Sequence, residues 1–354
     1  MSRFFSEKYA SLIPYTPGEQ PQKTGYVKLN TNESPFPPSP RAVKAAYAEA
    51  KRLELYPDPE CTLLRKTLAD TYGLGMENVI ATNGSDEALY FAFLAFCDEK
   101  HPAVFADVTY GFYSVYAELV GIDYREIPLK DDLTIDVNDY KNAGGTIFLA
   151  NPNAPTGIQL TKDEIEQVLS TNPDNVVVVD EAYVDFGGES CLSLLGRYDN
   201  LLIVRTFSKS RSMAGARLGY AMGSAEMIGD LNTLRYSTNP YNINRMTLAA
   251  GTGALEDMEY FVNCTKTVCE NREWAKTELQ KLGFTVTPSS ANFLFAKHAQ
   301  IGGKELYEKL KQRNVLIRHF EKPRIRDYNR ITVGTMEQMN ILIRTINAIL
   351  EEKR

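Results

Sequence analysis

The stretch Leu201–Tyr220 reads LLIVRTFSKSRSMAGARLGY. Leu201–Arg205 is a short, mainly apolar run, the pattern of a strand buried on both faces. It breaks into Thr206, Phe207, Ser208 and Lys209, and a small-residue segment with Gly215, Arg217 and Gly219 follows. Runs of the same kind occur upstream at Val79–Thr82, Ala103–Ala106, Thr146–Ala150 and Val176–Val179. Helical segments precede or separate several of them: 61–72, stopped by Gly73; the apolar stretch Ser85–Cys97; and one opened by the capping box Thr161-x-x-Glu164. Short apolar strands alternating with helices predict an α/β fold, with a large domain built on a mostly parallel sheet covered by helices.

Outward from this region the rhythm changes. Residues 1–40 are rich in Pro, Gly and Asn with little periodicity, and read as an extended arm that contributes to a small domain. Ser39-Pro40 has the form of a helix N-cap with Pro in the first turn, ahead of an Ala-rich amphipathic helix over Arg41–Glu54. Beyond about Asn239, a long helix is predicted over Glu256–Leu282, ended by Gly283. Short strands follow near Phe284–Thr287, Asn292–Phe295, Val315–Ile317 and Ile331–Val333, then a last helix over Met336–Glu351. The expected division is an arm (1–40), a large domain (41–240) and a smaller α+β domain (241–354). No internal repeat or low-complexity tract is evident.

Composition narrows the function classes. The 354 residues are 44% hydrophobic and 24% charged, ordinary for a globular chain of two domains. A net charge of −6 gives no global attraction for nucleic acid or acidic lipid, so an anionic ligand must be met by local arginines. Met1–Tyr15 carries Arg3, Glu7 and Lys8 without a long apolar stretch, unlike a signal peptide. The longest apolar run, Ala88–Cys97, is too short to span a bilayer. Five scattered cysteines form no CxxC pair, which suggests a reducing, cytoplasmic compartment, and no histidine sits in a metal-ligand motif.

Four segments can carry chemistry. Asp180 follows four valines and so ends a buried strand, the end outside which α/β sheets bind ligands. It is either a partner for a protonated ring nitrogen or a cap on the next turn. Lys209 lies just past a buried strand, where desolvation lowers an amine's pKa and suits it to covalent catalysis and proton transfer. Ser208 and Arg217 beside it can both bind a phosphate. In ATNGSDE (81–87) a strand ends, Gly84 turns, and Ser85 and Asp86 open a helix; this is an anion site or a plain N-cap. NPNAPTG (151–157) is a Pro-rigid turn at another strand's carboxyl end, or an ordinary loop.

Taken in order, GSDE, NxxPTG, DEAY and SKxxxxAGxRxGY resemble the fold-type-I pyridoxal-phosphate aminotransferases. More narrowly, the chain is similar to the histidinol-phosphate aminotransferases, through 12–15 (LIPY), 28–35 (KLNTNESP), 56–58 (YPD) and 329–335 (NRITVGT). The resemblance runs from about Pro14 to the C-terminus. It implies pyridoxal 5'-phosphate held by Lys209, which also moves the substrate proton. Asp180 pairs with the ring nitrogen, Tyr183 hydrogen-bonds the ring hydroxyl, and Tyr110 stacks on the ring. Gly84, Ser85, Asp86, Ser208 and Arg217 hold the phosphate, and Tyr56 reaches the phosphate in the other subunit of a homodimer. Arg330 binds the carboxylate of glutamate and, with Arg318 and Tyr15, the phosphate of the other substrate; Asn32 lines that pocket. The implied reaction is amino transfer between histidinol phosphate and 2-oxoglutarate, a phosphorylated amine and a 2-oxo acid.

Two positions depart from the family pattern. Ala154 stands where an Asn usually contacts the ring hydroxyl, so either Asn153 substitutes, the favoured expectation, or Tyr183 makes the contact alone. Val108 replaces a Pro often found before Thr109-Tyr110. The scaffold also leaves open a lyase resembling threonine-phosphate decarboxylase, or an aminotransferase of aromatic or broad preference. A nucleotide-binding oxidoreductase is disfavoured, since no G-x-G-x-x-G joins a strand to a helix. A non-catalytic cofactor-binding regulator is disfavoured by the intact Lys209 and Asp180.

Overall fold

A computed structural model describes residues 2–20 and 25–353; positions 21–24 of the expected arm lie outside the described residues. Strand β1 (Val27–Lys28) leads to helix α1 (Pro40–Glu49). Ser39 caps α1, its hydroxyl accepting from the Ala42 N–H at 3.2 Å. The helix expected to reach Glu54 tightens into a 3-10 turn at Ala50–Arg52. Helix α2 (Thr62–Tyr72) closes on Gly73, and β2 (Val79–Thr82), α3 (Gly84–Phe96), β3 (Ala103–Ala106), α4 (Phe112–Val120) and β4 (Tyr124–Ile127) follow. Then come β5 (Thr146–Ala150), α5 (Lys162–Ser170), β6 (Val177–Asp180), β7 (Leu201–Thr206) and β8 (Gly219–Met222). The Thr161–Glu164 capping box that opens α5 is present.

These seven strands form one sheet in the order β2-β8-β7-β6-β5-β3-β4. Only β8 runs antiparallel to its neighbours β2 and β7; the other pairings are parallel. Both faces are covered, as the continuous apolar runs require. Val177, Val179, Leu201 and Ile203 face a core that includes Leu64 of α2 and Ile165 of α5. Val178, Leu202, Val204 and Phe148 face the opposite core, with Leu89 and Phe93 of α3 and Tyr113 of α4.

Helices α6 (Ala225–Thr238), α7 (Arg245–Glu256) and α8 (Met258–Lys281) come next. Helix α7 is not evident from sequence alone, because its two glycines weaken its helical propensity. Ala250, Ala254 and Leu255 join the core of Leu64 and Val79, so this stretch packs with the large sheet although it falls in the range expected for the small domain.

The remaining elements are β9 (Phe284–Val286), β10 (Phe293–His298), α9 (Gly303–Gln312), β11 (Val315–Leu316), β12 (Arg318–His319), β13 (Tyr328–Thr332) and α10 (Met336–Glu351). Antiparallel β12-β13-β10-β9 packs under α8 and α10 through Leu294, Ile331, Ala275 and Ile346. The arm is stitched to this unit. β1 pairs in parallel with β11, and the Thr332 N–H donates to the Leu29 carbonyl at 2.9 Å. That pairing delivers residues 30–33 to the end of the large sheet. No described helix is long and apolar enough to cross a membrane.

One charge pair is buried within the large sheet. Arg205 of β7 donates through Nη2 and Nε to Glu181 Oε2 at 2.7 and 2.9 Å, with the side chains only 7% and 0% exposed. Ser190 and the Cys191 N–H complete the shell around Glu181. Removing one partner strands the other charge, a loss of roughly 3–5 kcal/mol, whereas replacing both with apolar groups is far milder. Arg205→Met alone is therefore expected to lower the urea-unfolding midpoint sharply, with much of the loss recovered in Arg205→Met/Glu181→Leu, as followed by circular dichroism.

Candidate active site

Parallel strands leave a crevice beyond their carboxyl ends. There the loops after β2, β3, β5, β6 and β7 meet the arm and β13. Two adjoining cavities of about 340 Å³ each open in this crevice. Thr31, Tyr110, Ala154, Tyr183 and Lys209 line both, so they form one bipartite site.

Asp180 ends β6, in register with Ala150 and Val204. One carboxylate oxygen accepts from the Ala182 N–H at 3.1 Å and the other from the Tyr113 hydroxyl at 3.2 Å. Burial pushes its pKa up to about 7, against the pull of these two hydrogen bonds. Such a carboxylate is matched to a cationic partner, which would return it to the charged form.

Lys209 projects from the loop after β7, and its Nζ donates to the Thr31 carbonyl at 3.3 Å. Burial first, and then the charge of Arg330, lowers its pKa to about 8. The Tyr183 ring lies 5.8 Å from this ammonium.

At the other end of the first cavity, α3 begins with no side-chain cap on its first-turn N–H groups. Arg217 reaches across, with Nη2 on the Asp86 carboxylate at 2.8 Å and Nη1 on the Ser208 hydroxyl at 3.4 Å. Two glycines make this closeness possible. Gly84 has φ +78°, and a Cβ there would lie 2.6 Å from Arg217 Nη2; a Cβ on Gly219 would lie 2.3 Å from the Ser85 nitrogen. Helix start, guanidinium and serines make an anion cradle. Tyr110 donates to Asp86 at 2.7 Å, which fixes its ring between cradle and amine.

The second cavity carries the other cations. Arg330 of β13 is half-buried, donates to the Asn30 carbonyl at 3.2 Å, and leaves its buried Nε without a partner. Arg318 holds the arm carbonyls of Thr16 and Pro17 at 3.2 and 3.4 Å. Tyr15 stacks on Phe112 with ring centroids 4.2 Å apart and covers this side. Asn32 lines the pocket, but its amide is already bonded to Tyr183.

The crevice thus assembles Lys209, Asp180, Tyr183, Ser85, Asp86, Tyr110, Ser208, Arg217, Tyr15, Asn32, Arg318 and Arg330. Asn153 is a correction. Its amide donates to the Val108 carbonyl and the Thr156 hydroxyl, its oxygen accepts from Thr109, and it lines neither cavity; Ala154 does. Tyr56 lies apart, 78% exposed and stacked on Tyr241. Arg324, exposed beside the second cavity, pairs with Asp107 at 2.6 Å. Tyr113, Thr31 and Glu33 were not anticipated. Glu181 could have been found, because Arg205 is a charge inside an apolar strand and demands a buried partner.

The donor set fits pyridoxal phosphate: an anion cradle, a buried carboxylate for a ring nitrogen, a depressed-pKa lysine and an aromatic face share one cavity of suitable size.

Comparison with known proteins agrees. A histidinol-phosphate aminotransferase of Brachyspira hyodysenteriae is 48% identical, covering 99% of this chain and all of that protein. One from Dechloromonas aromatica is 50% identical over 95% of this chain and 96% of its own length. The crystal structure of histidinol-phosphate aminotransferase from Sinorhizobium meliloti, in complex with pyridoxal-5'-phosphate, superposes with a TM-score of 0.85 at 23% identity, covering 92% of this chain and 91% of that one; at that identity the likeness speaks for the fold. The family described as aminotransferase class I and II matches residues 24–346. With a family model matched over residues 24–346 and full-length relatives, the chain belongs to the class I and II aminotransferase family.

Proposed function

We propose that the chain transfers an amino group between histidinol phosphate and 2-oxoglutarate, with pyridoxal 5'-phosphate as cofactor. The observation that carries this reading is the placement of Lys209 between an anion cradle and Asp180 on one side and Arg330 and Arg318 on the other. Pyridoxal phosphate, when bound, supplies an electron sink for charge developing at the substrate's amine-bearing carbon.

The chain's own groups do the rest. Arg217, Ser208 and the N–H groups of Ser85 and Asp86 would anchor the cofactor phosphate. Asp180, in its charged form, would keep the ring nitrogen protonated, while Tyr113 and the Ala182 N–H hold the carboxylate in place. Lys209 supplies the amine that attaches the cofactor. The same amine, buried beside the cavity, would act as the base that carries the proton of the substrate's amine-bearing carbon. A positioned base of this kind contributes about a hundred- to ten-thousandfold. Tyr110 and Tyr15 shield the transfer from water. Arg330 and Arg318 present planar forks that suit both a phosphate and a carboxylate, so one wall serves both substrates in turn.

Dimer formation belongs to the same reading. Tyr47, Leu53, Leu55, Tyr56 and Leu63 are exposed around α1 and α2, a surface suited to a second copy, and Tyr56 would reach that copy's cofactor phosphate.

The decisive experiment is the absorbance of the protein loaded with pyridoxal phosphate. Histidinol phosphate should convert the yellow band to the amine form of the cofactor, and 2-oxoglutarate should restore it. A band that ignores histidinol phosphate, or carbon dioxide release from threonine phosphate, would refute the substrate assignment. The uptake rate of pyridoxal phosphate by the cofactor-free protein should climb with pH through about 8, where Lys209 loses its proton, and level off well below the 10.5 of an ordinary lysine. Arg330→Ala removes a charged contact worth roughly 2–4 kcal/mol, so kcat/KM for both substrates should fall by about 30- to 1,000-fold in steady-state assays.

A further inference from the structure

The Tyr183 hydroxyl has one proton and two lone pairs to place. Asn32 Nδ2 donates to it at 2.9 Å. An amide N–H only donates, so this bond takes a lone pair and leaves the phenol proton free to point elsewhere. The amide orientation follows from its other contacts. The hydroxyl of Thr332, itself buried, accepts from the Asn32 backbone N–H at 2.9 Å, and its own proton needs an acceptor. Asn32 Oδ1, at 3.1 Å, is that acceptor. Turning the amide over would leave the Thr332 proton unspent. Asn292 donates to the Asn32 carbonyl at 3.0 Å, and Asn32 sits 1% exposed at φ +56°, a left-handed conformation that Asn tolerates better than most residues. The phenol ring is held edge-on against Phe293, with centroids 5.1 Å apart.

In the same cluster as Phe293 and Tyr183, Ala154 offers no polar group, and Asn153 is committed elsewhere. We propose that Asn32 is a positioning residue that fixes Tyr183 as a hydrogen-bond donor to the ring oxygen of the bound cofactor, doing from the arm what residue 154 cannot do from its turn. The inference rests on the cofactor reading above and adds a control on its acidity. A donor on the ring oxygen stabilises its anionic form and weakens its hold on the proton shared with the nitrogen that joins Lys209 to the cofactor. That proton then leaves at lower pH. Asp180 from β6, Asp86 from α3, Glu33 from the arm, Arg217 from the loop before β8 and Arg330 from β13 also face Lys209 or Tyr183, and they are unchanged in every variant below.

The test is a pH titration of the absorbance of the protein loaded with pyridoxal phosphate, without substrate. Tyr183→Phe should raise the midpoint by about one unit, and Asn32→Ala by about half to one unit, as expected for losing or loosening one hydrogen bond. Asn32→Ala added to Tyr183→Phe should move it no further, because Asn32 acts only through the hydroxyl. Ala154→Asn should lower the midpoint and blunt the effect of Asn32→Ala. If Asn32→Ala does not fold, Thr332→Val, which releases the amide, should give a smaller rise in the same direction. A midpoint that shifts in Tyr183→Phe but not in Asn32→Ala or Thr332→Val overturns the inference and leaves the cofactor reading standing. Additive shifts in the double variant overturn it too. Absence of any band in the unaltered protein sinks the cofactor reading itself.

Discussion

A carboxylate buried at the end of β6 sets the terms for the rest of the site. Asp180 stands in a sheet covered on both faces, where an isolated negative charge is costly. Its pKa near 7 records that cost. Two protein donors reduce it without removing it, so the site is built to receive a cation against that carboxylate. Directly behind, Glu181 repeats the problem with a different solution: Arg205 from the neighbouring strand pairs with it and closes the account inside the protein. Adjacent acids at the end of one strand thus have opposite fates. One is sealed by the fold and holds the strand ends together, and the other is left open toward the cavity.

The geometry of the cavity depends on close approach between loops. Arg217 has φ +53° and crosses to α3 because Gly84 leaves no Cβ in its way, while Gly219 lets β8 lie against the start of α3. Its guanidinium meets Asp86, which also holds the Tyr110 hydroxyl. Cradle and aromatic wall are therefore one hydrogen-bonded unit, and a phosphate arriving at the cradle meets donors already aimed.

Much of this was legible in the sequence. Asp180 and Lys209 were readable because each ends or follows an apolar run, and chemistry in α/β sheets collects at those ends. The Thr161–Glu164 capping box and Gly73 marked helix boundaries for equally local reasons. What escaped depends on contacts distant along the chain. Tyr113 meets Asp180 across 67 positions, and Asn32 meets Tyr183 across 151. The reversed strand β8 and the glycine-bearing helix α7 are fixed by packing rather than by their own propensities. Asn153 failed for a related reason. Next to Ala154 in sequence it was a natural substitute, but the turn aims neighbouring side chains in different directions, and Asn153 faces Val108 and Thr109.

Arg330 ties the two halves of the site together. It lines the second cavity with an unpartnered Nε, and its charge is also the second cause, after burial, of the lowered pKa of Lys209. An anion seated on Arg330 offsets that charge. The Lys209 amine then holds a proton more tightly and becomes the stronger base. Without an anion, the unscreened guanidinium favours the neutral form of the amine. One arginine can serve both conditions because the cavities meet at Lys209, within reach of its field in a poorly solvated space.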